Sequence, residues 1–388
     1  MAPKIPGKYN VYAPPKALVA PLDWGLGHAT RCIPIIRHLL AKGWEVWLAG
    51  EQPVQSLLQA EFPNLPWLPL DGYRVSYGAT GWGTALSLAR QVPRLVRSIR
   101  AEQQWLQHQM SIHRFHLVVS DNRYGLYHPA AYCIFLGHQL QLQTPLGLGK
   151  HLMRRLQYRF INRFDACWVP DFPGAVSLAG SLSHPEQLPA IPVRHTGPLS
   201  RLEQPAAAPA QPYVLLLVSG PEPQRSLLEA LFLQQAATIP RSFVLVRGLP
   251  GRCRIPAVAA NIEVYNHLPA AALQDKMAAA SLVVCRSGYS TIMDLAAMDK
   301  KSILIPTPAQ TEQQYLARHL QQQGFAMWCS QAGFNLNKAL KDASLFAFRA
   351  WPQTPASLLQ QALDLDCTLA LAGKVIFEKE FSIESAHP

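Results

Sequence analysis

Two glycines and a histidine follow the first short apolar run of the chain. Gly25, Gly27 and His28 come shortly after residues 18–21, and apolar residues at helical spacing cover residues 31–42. Glycines let backbone N–H groups approach a ligand, and a helix N-terminus favours a developing negative charge. An imidazole here can act as a general base, so His28 is the candidate base; a histidine that only packs or caps is the alternative.

A carboxylate ends another strand of the same half. Asp121 follows the strand predicted at residues 117–120, where it could orient His28 or bind substrate hydroxyls. A turn-forming aspartate is the alternative. His138 and Gln139 come after the strand predicted at residues 131–135. They are expected to lie at the same edge of the sheet and to line an acceptor pocket.

A matching loop opens the second half of the chain. Ser219 and Gly220 lie at the end of the strand predicted at residues 213–218, before a helix predicted at residues 225–237. Such a helix start suits a phosphate group, and Arg225 could add a charge-assisted contact. An ordinary tight turn between strand and helix is the alternative.

The densest set of polar residues lies between residues 283 and 314. A strand enters a small turn, a hydroxyl side chain can cap the next helix, and Asp294, one turn further on, suits ribose hydroxyls. Polar residues after the following strand suit sugar hydroxyls, although each alone fits a polar helix start. The predicted binding residues are Arg286, Ser287, Gly288, Ser290, Thr291, Asp294, Gln310, Thr311, Glu312, Gln313 and Gln314.

Strands, loops and helices alternate along the chain, which is typical of α/β domains with parallel sheets. Residues 197–212 hold four prolines and no apolar period, as a linker does. The prediction is a loose tail (1–16), a first domain (17–196), this linker, a second domain (213–366) and a carboxy-terminal tail (367–388). Ligands bind beyond the carboxyl ends of parallel strands, so the active cleft is expected between the two domains.

The positive charge is concentrated in the first half of the chain. Of 388 residues, 35 are Lys or Arg and 24 are Asp or Glu, a net charge of +11. Residues 1–196 hold 19 basic and 10 acidic side chains, which leaves 16 and 14 for the rest. A hydrophobic content of 49% excludes a disordered polymer. No apolar run approaches the ~18 residues of a membrane span, and the amino terminus lacks the apolar core of a signal peptide.

Much of this charge lies on two predicted helices, residues 86–110 and 150–164. The second carries five basic and no acidic residues beside an apolar row of Leu152, Leu156, Phe160 and Phe164. A basic amphipathic helix is typical of a membrane surface, and a core helix with a solvated basic face is the alternative. We therefore expect a cytoplasmic protein, with peripheral binding to the inner face of the cytoplasmic membrane as a hypothesis.

The chain offers no recognisable metal-binding motif. Its seven cysteines are scattered and form no Cys-x-x-Cys pair. Asp364 and Asp366 lie far downstream and are interpreted as part of a helix end. No metal and no other cofactor is predicted.

The segments 286–295 and 306–314 resemble the carboxy-terminal donor domain of GT-B glycosyltransferases, in particular the MurG-like family (glycosyltransferase family 28). The shared pattern is a small-Gly turn, Ser or Thr, an acidic residue before Leu295, and a proline-rich strand end before a Gln-containing helix start. The loop of Gly27 and His28 resembles that family's acceptor loop. The resemblance implies two Rossmann-like domains facing across a cleft, an acceptor-binding first domain and a nucleotide-sugar-binding second domain.

The resemblance also implies inverting, metal-independent transfer of a sugar, N-acetylglucosamine or a related hexose, from UDP to a hydroxyl acceptor that is lipid-linked or an envelope glycan. It places Ser219 and Gly220 at the diphosphate and residues 265–268, including His267 and Leu268, beside the uracil. Ser290 and Thr291 would face the phosphates, Asp294 the ribose, and Gln310, Gln313 and Gln314 the donor sugar. Ser219 and Gly220 stand in the second-domain loop where the family usually has Gly-Gly-Ser, and Asp294 stands where it has Glu.

Two other functions compete with this interpretation. A UDP-sugar hydrolase or 2-epimerase on the same fold would turn over the donor without an acceptor. A nucleic-acid-binding protein is suggested only by the net charge, and no aromatic–basic motif of a known DNA- or RNA-binding module supports it.

Overall fold

The protein forms two α/β units. The computed structural model describes residues 13–23, 25–73, 81–141, 150–203, 211–251, 254–352 and 357–384. Within these residues each unit is built on one sheet, and all strand pairs run parallel. The predicted fold class is thereby confirmed. The predicted tail at 1–16 and the linker at 197–212 fall partly outside the described residues.

The first sheet has the strand order β3-β2-β1-β4-β5-β6-β7. The order changes direction between β1 and β4, which are neighbours, and Pro21 of β1 pairs in register with Asp121 of β4. The loops after these strands therefore flank one crevice at the carboxyl edge of the sheet. The strands are β1 (Lys16–Pro21), β2 (Glu45–Gly50), β3 (Trp67–Pro69), β4 (Leu117–Asp121), β5 (Tyr132–Leu136), β6 (Ala166–Val169) and β7 (Val193–His195).

The helices described in this part of the chain are α1 (Leu26–Ala41), α2 (Val54–Glu61), α3 (Gly81–His113) and α4 (Lys150–Ile161). Helix α1 starts five residues before the predicted residue 31, because its first turn carries no apolar periodicity. Gly25 precedes the helix with φ 109°, a left-handed conformation that favours glycine. The early start places Gly27 and His28 in the first helical turn.

Helix α4 leaves the first half of its apolar row exposed. Leu152 and Leu156 are 63% and 46% exposed, whereas Arg154 and Gln157 are buried. The buried polar groups are hydrogen-bonded: Arg154 Nη2 donates to Gln187 Oε1 at 2.5 Å, and Gln157 Nε2 donates to the carbonyl oxygen of Gln139 at 2.6 Å. These bonds offset the cost of burial, so α4 turns two leucines towards solvent.

The second sheet has the order β10-β9-β8-β11-β12-β13. Its strands are β8 (Gln211–Leu217), β9 (Ser242–Val246), β10 (Ile262–Tyr265), β11 (Ala280–Cys285), β12 (Ser302–Leu304) and β13 (Met327–Trp328). The helices that follow are α5 (Gln224–Ala236), α6 (Ala270–Ala279), α7 (Tyr289–Ala297), α8 (Thr311–Gln323), α9 (Leu336–Leu345) and α10 (Ser357–Glu384).

The last helix, α10, returns from the second unit to the first. Asp366, on α10, is fully buried and accepts hydrogen bonds from Trp168 Nε1 at 2.7 Å and the Tyr132 hydroxyl at 2.9 Å. It also pairs with Arg194 Nη2 at 2.9 Å. The interpretation of Asp364 and Asp366 as a helix end is wrong, because both lie well inside α10.

The two units meet along α1, α7 and α8. The Tyr289 hydroxyl donates to the carbonyl oxygen of Pro170 at 2.7 Å, and the Tyr315 hydroxyl accepts from the backbone N–H of Ser181 at 2.8 Å. One apolar cluster includes Trp168 of the first unit and Met293 of the second. The carboxyl edges of both sheets thus border the same cleft. No helix in the described part of the chain is long and apolar enough to cross a membrane.

Candidate functional site

His28 and Asp121 lie in contact at the carboxyl edge of the first sheet. His28 Nδ1 is 3.1 Å from Asp121 Oδ1, and Asp121 is fully buried. Burial alone would raise the pKa of Asp121, but Arg31 and His28 outweigh it and lower that pKa to about 2. Asp121 is therefore an ionised carboxylate that can orient the imidazole, in the geometry expected of a base and its orienting group.

Arg31 occupies the centre of this cluster, and sequence reasoning missed it. Its Nε donates to Asp121 Oδ2 at 2.8 Å, and its Nη2 donates to Asp121 Oδ1. Arg31 is 2% exposed. Its position three residues after His28 was the available signal, because residues three apart share one helix face.

His138 connects this cluster to the second unit. Its Nε2 lies 2.8 Å from Glu312 Oε1, and its ring stacks on Tyr289 with centroids 3.9 Å apart. Burial lowers the pKa of His138. Burial would raise the pKa of Glu312, but hydrogen bonds from His138 and Gln139 hold it below its usual value. Glu312, on the first turn of α8, is thus an ionised carboxylate of the second unit that accepts hydrogen bonds from residues of the first unit.

The N-termini of α1 and α7 lie against each other where the two units meet. A Cβ atom built on Gly27 would lie 2.2 Å from the Ser290 hydroxyl oxygen, so only glycine fits this approach without a shift. Gly288 precedes α7, and neither helix has a side-chain cap. Free backbone N–H groups of both helices are therefore close together, and Ser290 and Thr291 lie on the first turn of α7.

Asp294 follows Ser290 by one helical turn and points at the segment that joins the two units. Asp294 Oδ1 accepts a hydrogen bond from Ser200 at 2.6 Å. Burial raises the pKa of Asp294 to about 6, although Ser200 and Arg201 act in the opposite direction. Arg201 also lowers the pKa of the half-buried His267, after the larger effect of burial. Ser200 and Arg201 were missed because they lie in the segment interpreted as linker.

The polar residues before α8 form a tight hydrogen-bonded turn. Gln313 Oε1 accepts from the backbone N–H of Thr307 at 2.8 Å, and Gln313 Nε2 donates to Gln310 Oε1 at 2.5 Å. Ser287 Oγ donates to the carbonyl oxygen of Gln313 at 2.8 Å. This turn is therefore joined to the loop that precedes α7. Thr311 and Gln314 lie on the first turn of α8, and Leu268 is buried beside α6.

Arg286 connects two loops from inside the second unit. Its guanidinium is buried and donates to the carbonyl oxygens of Pro306 at 3.2 Å and Gln224 at 2.8 Å. Burial lowers its pKa to about 10, so it stays charged at neutral pH. The loop of Ser219 and Gly220 lies nearby, since a Cβ built on Gly220 would be 4.0 Å from Thr307 Oγ1.

Arg225 is engaged by carboxylates of its own helix region. It donates to Glu222 Oε1 at 2.5 Å and to Glu229, and it contacts the carbonyl oxygen of Arg247 at 3.1 Å. A phosphate would have to compete with these two carboxylates, so its predicted phosphate contact stays a prediction. Among the described residues, no three His, Cys, Asp or Glu side chains converge as a metal site would require.

Comparisons with known proteins find two sequence similarities. Residues 250–366 match the glycosyltransferase family 28 C-terminal domain. The chain is 26% identical over 365 residues to the UDP-N-acetylglucosamine–N-acetylmuramyl-(pentapeptide) pyrophosphoryl-undecaprenol N-acetylglucosamine transferase of Yersinia pestis (strain Pestoides F), covering 90% of this chain and 94% of that protein.

The fold is shared with solved glycosyltransferases. Acinetobacter baumannii MurG matches with a TM-score of 0.54 and 14% identity, over 92% of this chain and 100% of that one. A calicheamicin glycosyltransferase matches with a TM-score of 0.58 and 12% identity, over 97% and 100% of the two chains. Residues 250–366 thus match a family 28 C-terminal domain, and the two parallel sheets share the GT-B fold of these solved glycosyltransferases.

Proposed function

We propose that this glycosyltransferase moves a sugar from a UDP-sugar to a hydroxyl group of its acceptor, with inversion at the sugar carbon and without a bound metal. The proposal rests chiefly on the His28–Asp121 contact of 3.1 Å beside the facing N-termini of α1 and α7. A base and a site for anionic charge are the two elements that such a displacement needs.

The proposed reaction assigns a task to each group. Asp121 accepts the Nδ1 hydrogen of His28, which leaves Nε2 free to take the proton of the acceptor hydroxyl. The acceptor oxygen bonds to the sugar carbon while the bond from that carbon to the diphosphate oxygen breaks. Backbone N–H groups at the start of α7 and in the loop of Ser219 and Gly220 would stabilise the departing diphosphate.

The donor would extend over the second unit. Asp294 holds the ribose hydroxyls, His267 and Leu268 flank the uracil, and Gln310, Gln313 and Gln314 approach the sugar. The distant relatives carry N-acetylglucosamine transferase in their names, which favours N-acetylglucosamine or a related hexose as the sugar. By the same similarity, the acceptor we propose is a lipid-linked or envelope-glycan hydroxyl.

A donor panel tests this function. We expect UDP-sugars to raise the unfolding temperature more than GDP- or dTDP-sugars at equal concentration, and the best donor to yield UDP only when a hydroxyl acceptor is added. UDP release at the same rate without an acceptor would favour the hydrolase or 2-epimerase function instead. Equal stabilisation by all nucleotide sugars would contradict the assigned uridine site.

Donor binding should depend on pH through Asp294. Its carboxyl has a pKa of about 6, and only the ionised form accepts two hydroxyl hydrogens, so donor affinity should be full above that pH and fall below it. We expect the donor KM to rise several-fold from pH 7.5 to pH 5.5. The Asp294→Asn change should raise the donor KM about tenfold at pH 7.5, which corresponds to the loss of one charged hydrogen bond. It should also flatten the pH dependence of the donor KM.

A matched control for this change is Asp275→Asn, which alters an exposed aspartate of α6 in the same unit. Its donor KM should stay at the wild-type value at both pH values. An unchanged pH dependence in Asp294→Asn would remove the ribose assignment.

We further propose that α4 binds an anionic membrane surface. Leu152, Met153 and Leu156 are exposed on this helix, and Arg155 and Arg159 are exposed beside them. Exposed leucines flanked by arginines combine apolar insertion with attraction to anionic lipid headgroups. A lipid-linked acceptor would then be presented next to the acceptor-binding unit.

Vesicle sedimentation tests this surface. Replacing Leu152 and Leu156 together by Ser should weaken binding to vesicles containing phosphatidylglycerol by about thirtyfold, because two partly inserted leucines contribute on the order of 1 kcal/mol each. Leu345→Ser is the control, since Leu345 is 86% exposed on α9 of the other unit. Equal, salt-insensitive binding to neutral and anionic vesicles would refute the proposed electrostatic contribution.

A further inference from the structure

A chain of polar contacts, buried at Asp121, Arg31 and His138, runs from the candidate base into the second unit. Arg31 holds Asp121 through Nε and Nη2, and its Nη1 lies 3.3 Å from His138 Nδ1. His138 Nε2 then lies 2.8 Å from Glu312 Oε1. Glu312 and Tyr289, which hold the far side of His138, belong to the second unit. The chain therefore joins the base to the contact between the two units.

The donors and acceptors of this chain define where its protons lie. Arg31 can only donate, so His138 Nδ1 must accept and the single ring proton of His138 must be on Nε2. That Nε2–H then donates to the Glu312 carboxylate. A neutral His138 agrees with the lowered pKa that its burial causes. Glu312 thereby keeps His138 in the one tautomer that can accept from Arg31.

Arg31 also competes for the candidate base. Its Nη2 lies 3.0 Å from His28 Nδ1, slightly closer than Asp121 Oδ1 at 3.1 Å. If Nη2 donates to His28, the imidazole proton must be on Nε2, and His28 cannot accept a proton there. Nη2 carries two hydrogens, and one of them already points at Asp121. If the other points away from His28, His28 can donate its own Nδ1–H to the carboxylate and keep Nε2 free.

We propose that Arg31 is a positioning residue that couples the His138–Glu312 contact between the two units to the position of the proton on His28. With both units in contact, His138 holds Nη1 and keeps the guanidinium flat against Asp121. Without Glu312 and Tyr289, His138 releases Nη1, and the guanidinium turns towards His28 Nδ1. The inference rests on the proposed role of His28 as the base. Under it, His28 can accept the acceptor proton only when the two units are in contact.

The first test reads the protons directly and needs no substrate. Long-range ¹H–¹⁵N spectra of protein labelled at the histidine ring nitrogens assign the tautomers, with His28→Gln and His138→Gln identifying the signals. We expect a proton on Nδ1 of His28 and on Nε2 of His138. The Glu312→Gln change should move a measurable fraction of the His28 proton to Nε2. The same change in an Arg31→Lys background should not move the His28 proton, because a lysine keeps the charge but has a single amino group and cannot contact His138 and Asp121 at the same time.

The second test compares the same variants in transfer kinetics. Glu312→Gln and Arg31→Lys should each lower kcat about tenfold and change the donor KM less than threefold, and the double variant should be no slower than Arg31→Lys alone. Independent structural roles would instead multiply the two losses. Glu61→Gln, at a surface pair with Arg37, is the control and should keep wild-type kinetics and tautomers.

The outcomes separate this inference from the proposed function. If Glu312→Gln shifts the His28 proton equally in both backgrounds, or in neither, the coupling through Arg31 is refuted, whatever the activity. If the tautomers respond as expected but no acceptor is glycosylated, the proposed transfer reaction fails and the coupling stands. Should Glu312→Gln fail to fold, Tyr289→Leu removes the ring stacked on His138 and tests the same link.

Discussion

Replacing His28 by Ala should lower the rate of sugar transfer by about 10²–10⁴-fold, the usual contribution of a general base. The donor should still bind, because its proposed contacts lie in the second unit. Among the described residues, the side chains that hydrogen-bond to Asp121 are those of His28, Arg31 and Cys32. Asp121 therefore keeps Arg31 and Cys32 as partners when His28 is replaced. We therefore expect kcat to fall while the donor-induced rise in unfolding temperature stays within a degree of wild type.

His38→Ala is the matched control for this change. His38 lies on the same helix α1 and contacts Asp364 at 3.5 Å, away from the candidate site. Its transfer rate should stay within twofold of wild type. If His28→Ala keeps a near-normal rate with donor bound, His28 is not the base, and the transfer mechanism proposed above must be replaced.

Removing the buried carboxylate of Asp366 should destabilise the protein by about 3–5 kcal/mol. The Asp366→Ala change leaves Arg194 without its carboxylate and deprives Trp168 and Tyr132 of an acceptor. An uncompensated buried charge carries a cost of this size. Chemical denaturation should show a lower unfolding midpoint, with the intrinsic fluorescence of Trp168 altered in the native state as α10 loses its anchor.

Asp364→Ala provides the comparison two residues earlier on the same helix. Asp364 lies at the surface, where it pairs with Lys42 at 2.9 Å. Exposed pairs of this kind contribute little, so its unfolding midpoint should not differ measurably from wild type. Equal effects of the two changes would show that α10 is not held by the buried carboxylate.

The amino-acid sequence by itself determined the fold class and most of the elements. Strands such as β4, β5 and β11 are short apolar runs bounded by polar or small residues, and buried parallel strands require that composition. The short strands β3, β7 and β13 were missed, because two or three residues carry no period. Loops that follow buried strands must lie at the carboxyl edge, so His28, Asp121, His138 and Asp294 were found as candidates.

Only the tertiary structure decided how these candidates are connected. Arg31 joins Asp121 across 90 positions of the chain, and His138 meets Glu312 across 174. Ser200 reaches Asp294 across 94 positions. Local propensity contains no information about such pairs, because they depend on how the sheets, helices and units pack against one another.

The same reason explains why the surroundings of α4 and α10 could not be predicted from the sequence. The face that α4 buries depends on hydrogen-bond partners at Gln139 and Gln187, which its own apolar spacing does not reveal. The return of α10 depends on Trp168 and Arg194 of the other unit. Periodicity in the sequence determines which residues can form an element; long-range packing and the satisfaction of buried polar groups decide what that element contacts.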